Sequence, residues 1–128
     1  MITELVSPSS PKAKFKYSPF VKAGPFIQSA GLVGLDPESE KLITGGPGPE
    51  TGQILRNLKT AMDDFGLRLD DMVIAHIYTT SMARFPEINQ EWDGFFTGQS
   101  ILPARTAVGV SALPINASVE IEFQFFID

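Results

Sequence analysis

Residues 101–128 read ILPARTAVGVSALPINASVEIEFQFFID, and the alternation within this stretch decides the fold. From residue 118 to 127 Val119, Ile121, Phe123, Phe125 and Ile127 share one face of an extended strand. Glu120, Glu122, Gln124 and Phe126 share the other. The first face suits packing beneath helices; the second is polar yet carries a phenylalanine, as a wet contact between subunits would. Residues 104–113 form the preceding strand, with Thr106, Val108, Val110 and Ala112 on one face and Arg105, Ala107 and Gly109 on the other. Small residues beside an arginine leave room, and a closed oligomer around these sheet faces, with clefts between chains, is expected.

Upstream, KFKYSPF and PFIQSAG read as short strands joined through Gly24 and Pro25. Asp36-Pro37 marks a turn before a short strand near Leu42, and TGGPGPE reads as a loop. From Thr51 to Phe65, Ile54, Leu55, Leu58, Met62 and Phe65 recur at helical spacing, and Gly66 supplies a stop. DMVIAHIYTT is a strand. A second helix is expected from about Arg84 to Phe96, with Pro86 in its first turn and Phe85, Ile88, Trp92 and Phe95 along one side. Two helices set between strands call for an α+β fold, a mixed sheet with both helices on one face. No repeat or linker interrupts the chain, so residues 1–128 read as a single domain.

Composition narrows the function. A chain without cysteine has no thiolate nucleophile or ligand, and a net charge of −5 is unsuited to a general nucleic-acid surface. The basic residues Lys12, Lys14, Lys16 and Lys22 are read as a solvated face or a weak anion-attracting patch. His76, the one histidine, lies in VIAHIYT and reads as structural; no ligand spacing suggests a metal. The glycine-rich GGPGPETGQ lacks the lysine and hydroxyl of a phosphate loop. Tyr78 and Trp92 read as packing residues, and Ser81 as a turn or cap residue. No stretch is long and apolar enough for a membrane span and no signal sequence is recognised, so no membrane partner and cytoplasmic residence are expected.

Arg105 is the leading candidate for chemistry. Its guanidinium is a planar fork of donors matched to a carboxylate ligand, or to an acidic residue of its own or a neighbouring chain. Glu120 is either an ordinary solvent-facing carboxylate or a general acid/base that takes a proton from water and returns it to a departing nitrogen. Glu122 reads as a cross-strand or interface partner, or as solvated. A tight hairpin turning at Ile115 and Asn116 would set Glu120 opposite residue 111 and Arg105 opposite residue 126, roughly 20 Å apart at strand rise. A shared pocket would then need the arginine of one chain and the glutamate of another, leaving an isolated monomer inactive.

YSPFVKAGPFIQSAG, LRNLK, FPEINQEWDGFF, LPARTAVGV and VEIEF together resemble the reactive-intermediate deaminases, the YjgF or Rid family. The resemblance covers nearly the whole chain; PART followed some fifteen residues later by VEIE is its most specific part. It implies a homotrimer of chorismate-mutase-like α+β subunits with sites in clefts between neighbours. It also implies hydrolysis of small 2-enamino or 2-imino acids, such as 2-aminoacrylate, to 2-keto acids and ammonia without a cofactor. Family roles would make Arg105 the carboxylate anchor and Glu120 the group that activates water, with Tyr17, Gly31 and Asn89 lining the pocket. Ala30 stands where the family commonly has serine, and Ala107 where it commonly has cysteine; both enlarge the pocket slightly. A non-catalytic sensor or carrier of a small carboxylate, using the same clefts, is the alternative. Ribonuclease action finds no histidine pair or basic groove to support it.

Overall fold

The computed structural model describes residues 1–128. Eight elements build it: β1 (Ile2–Glu4), β2 (Phe20–Ala23), β3 (Phe26–Ser29), α1 (Pro47–Phe65), β4 (Met72–Thr79), α2 (Phe85–Phe95), β5 (Ala104–Gly109) and β6 (Val119–Phe126). The strands form one sheet in the order β1-β2-β3-β6-β4-β5, in which only β4 and β5 run parallel. This is the expected α+β architecture, with both helices on one face.

α1 begins four residues before the expected start. Pro47 and Pro49 are accommodated because the first turn of a helix has no intrahelical use for their missing N–H groups. Ile54, Leu55, Leu58, Ala61 and Met62 are buried along its inner side, and Gly66 ends it in the left-handed conformation at φ 71°. α2 keeps its expected span and buries Ile88 and Trp92, with Pro86 in its first turn. The two helices cover Val119, Ile121, Phe123 and Phe125 of β6 together with Ala75 and Ile77 of β4. Each fully buried Val, Ile or Phe among them contributes about 1.5–3 kcal/mol. A register shift at Val73 lets Met72 join this core as well.

Three expectations need correction. KFKYSPF is not a strand: pairing begins only at Phe20, and residues 11–19 are irregular. Prolines at 11 and 19 remove donors that a ladder would use. Near Leu42 there is a single bridge to Leu35 rather than a strand. Most consequentially, β5 and β6 do not form a hairpin. β4 lies between them, parallel to β5 and antiparallel to β6. Ile115 and Asn116 do take positive φ, 52° and 61°, but within a short 3-10 turn that carries the chain over β4.

Candidate functional site

Insertion of β4 sets the site's geometry. Arg105 is level with Ala75, which is level with Phe123; Glu120 is level with Tyr78, which is level with Val108. Arg105 and Glu120 are therefore three residues apart along the strands, about 10 Å, and two strands apart, about another 10 Å. They are also on opposite faces. Arg105 shares the helix-covered face with the buried Ala75 and Ile77, whereas Glu120 lies beside Tyr78 on the open face. The separation of these two groups in one chain thus holds, but for a different reason from the one register alone suggested.

On the helix side, β5 is an edge strand, and α2 packs near it. The Arg105 guanidinium carbon lies 5.4 Å from the centre of the Phe85 ring and 5.2 Å from that of Trp92. Asn89 lies between those two on the same side of α2, its Oδ1 buried without a hydrogen-bond partner. Ala107 lies half-buried two residues along β5. No carboxylate stands within 4.0 Å of the arginine; the ion pairs of the chain involve Lys59, Arg68 and Arg84 instead.

A bulge builds the Glu120 side. β3 is paired as far as Gln28 with Gln124, and the next contact joins Leu32 to Ile121, so four steps on one strand oppose three on the other. Ser29 fills the gap in the ladder: its Oγ accepts the Phe123 N–H at 2.8 Å and donates to the Ala30 carbonyl at 2.8 Å. The extra residue brings Gly31 directly against Glu120, where a Cβ would collide with Oε1 of the carboxylate. Only glycine leaves that carboxylate its present place.

Glu120 is half-buried and accepts no hydrogen bond from the chain. Burial, and secondarily the charge of Glu122, push its carboxyl above the usual carboxylate range. It opens on a cavity of about 580 Å³ that Phe15, Tyr17, Gly31, Leu42 and Ile115 help to line. Lys12, Lys14 and Lys41 stand around the same cavity. Glu122, by contrast, is engaged: its Oε1 accepts the Tyr78 hydroxyl at 3.0 Å and lies 3.1 Å from His76 Nδ1. That hydrogen bond is also the main reason the Tyr78 hydroxyl resists ionisation beyond its ordinary range.

The structure therefore groups Tyr17, Gly31 and Glu120 on one side of the sheet and Asn89, Arg105 and Ala107 on the other. One further residue supports the first group. Glu50, buried in the first turn of α1, accepts Ser118 N–H at 2.8 Å, Ser118 Oγ–H at 2.5 Å and Val119 N–H at 3.3 Å, fixing the chain as it enters β6 just before Glu120. Nothing in the sequence pattern marks that role, because its partners lie 68 residues away.

The family model described as endoribonuclease L-PSP matches residues 7–125. The chain belongs to this family, the Rid or YjgF proteins. A RutC family protein of Aquifex aeolicus is 35% identical to it, over 93% of this chain and 94% of that one. A mouse Rid relative named 2-iminobutanoate/2-iminopropanoate deaminase is 36% identical, over 88% of this chain and 82% of its own. The crystal structure of RidA from an Antarctic Psychrobacter superposes with a TM-score of 0.88 at 31% identity, covering 98% of each chain. No helix is long and apolar enough to cross a membrane.

Proposed function

We propose that the chain assembles as a homotrimer and hydrolyses small 2-imino acids, formed from 2-enamino acids of the 2-aminoacrylate type, to 2-keto acids and ammonia in clefts between subunits. The observation that carries this reading is the pair of incomplete half-sites. A guanidinium without a carboxylate partner and a carboxylate without a donor lie on opposite faces of one sheet, so one small ligand meets both only where two copies come together. The relatives named as imine deaminases support the choice of reaction.

In this mechanism Arg105 of one subunit holds the substrate carboxylate as a charge-assisted pair, and Asn89 lines that end. Glu120 of the next subunit faces the C=N carbon. Water adds there as Glu120 takes one of its protons, forming a tetrahedral carbinolamine. Return of the proton to nitrogen lets the C–N bond break, so imine and water become keto acid and ammonia. A protonated imine is itself a strong electrophile, and the residues contribute placement and one proton transfer. A carboxyl held above its usual range suits both halves of that transfer.

The test generates 2-aminoacrylate and 2-iminobutanoate in situ and follows keto-acid formation. Wild type is expected to accelerate it, with Arg105→Ala and Glu120→Gln falling toward the uncatalysed rate. Equal acceleration by wild type and Arg105→Ala would remove the anchor, and tight keto-acid binding without turnover would replace the enzyme by a carrier.

A further inference from the structure

Phe85 and Trp92 are seven residues apart on α2, two turns that place them on the same side about 10 Å apart along the axis. The Arg105 guanidinium carbon is 5.4 Å from one ring centre and 5.2 Å from the other, so it lies between them. We propose that these two rings are positioning residues, an aromatic clamp that holds Arg105 for a planar carboxylate. The proposal deepens the function proposed above and rests on its assignment of Arg105 as the anchor.

An arginine on an exposed edge strand has a long, mobile stem and ordinarily loses rotamer entropy when a ligand fixes it. Most proteins restrain such a group with a carboxylate, but that would occupy the N–H donors and cancel the charge the ligand needs. Aromatic faces restrain it differently. They attract the cation through the ring quadrupole and leave the in-plane N–H groups unspent. Trp92 is itself held firmly: it is 7% exposed, and its ring lies 4.4 Å from that of Phe96. The clamp is therefore fixed to the core at one end, and Phe85 closes it at the helix's first residue. Asn89 lies between them on the same side of α2, its Oδ1 buried and without a hydrogen-bond partner.

The chain has one tryptophan, so the clamp reports on its own occupancy. Titration with 2-ketobutyrate or benzoate is expected to change Trp92 fluorescence in wild type and not in Arg105→Ala. Phe85→Leu keeps an apolar side chain but removes the quadrupole; it should weaken carboxylate binding and raise KM by roughly two- to fivefold, the range for one cation–π contact at an exposed site. kcat should change little. Phe85→Tyr, which keeps the ring, should bind as wild type does. Trp92→Phe, followed by calorimetry, tests the second ring without emptying the core, and should retain most of the affinity that Trp92→Leu loses. Equal affinity for Phe85→Leu and Phe85→Tyr would overturn the clamp while leaving the deaminase reading intact. Carboxylate affinity that follows the aromatic series without any imine turnover would uphold the clamp and defeat the deaminase reading.

Discussion

Replacement of Glu50 by alanine should be among the most damaging single changes outside the apolar core. Glu50 is 3% exposed and its carboxylate receives two backbone N–H groups and one hydroxyl from Ser118 and Val119. Val119 is fully buried, so its N–H finds no water in compensation. A buried donor left unsatisfied costs roughly 1–3 kcal/mol, and the serine hydroxyl is able to rotate elsewhere. Two stranded N–H groups put the loss near 3 kcal/mol, or about 10 °C in Tm for a chain of this size. Glu50→Gln keeps the acceptor oxygen for both N–H groups and presents its amide to the serine oxygen, so it should lose less than about 1 kcal/mol. Urea and thermal denaturation at one fixed protein concentration, followed by circular dichroism, measure both variants. The reasoning fails if Glu50→Ala unfolds within 1 kcal/mol of wild type, or if glutamine proves as harmful as alanine.

Gly31→Ala should displace the Glu120 carboxylate while sparing the fold, because the atoms in its way are the end of a flexible side chain; keto-acid formation should fall at least tenfold, with a melting curve close to wild type. Glu120→Gln should raise Tm at pH 7 and leave it nearly unchanged at pH 4. The folded-state pKa is raised, so the folded chain is penalised when that group is charged, above the raised value, and not when it is protonated. Activity should follow the opposite course, its acid limb lying above the usual glutamate range because Glu120 must be ionised to accept a proton. Glu122→Gln should move that limb to lower pH without restoring the ordinary value, burial being the larger cause; a limb that does not move would contradict the charge coupling.

What was legible in the sequence follows the range of the interactions involved. Helical spacing from Ile54 to Phe65 and alternation from Val119 to Phe125 are local patterns, and both helices and the buried face of β6 appear where those patterns place them. Strand order is not local. A turn-like stretch at Ile115 and Asn116 suits a hairpin as well as a crossing over β4, and only the completed sheet distinguishes them. The bulge at Ser29–Gly31 was equally hidden, since a one-residue excess is visible only against its partner strand. Arg105 stood out by chemistry alone, but its clamp did not: Phe85 and Trp92 carry the spacing of ordinary core residues, and only β5's position beside α2 brings the arginine between them.

The position of β6 bears on how the chain is made. It is the last strand in chain order, yet it is the one that joins β1-β2-β3 to β4-β5. During translation first β1-β2-β3 and later β4-β5 stand unjoined, and at ordinary ribosomal speeds the interval between synthesis of Ser29 and of Phe126 lasts roughly 5 to 20 s. Ile27 from the start of that interval, and Ile77 from its own synthesis onward, await the lane that β6 supplies, so chaperone demand should peak before β6 emerges, and truncation within β6 should yield aggregate rather than a smaller fold.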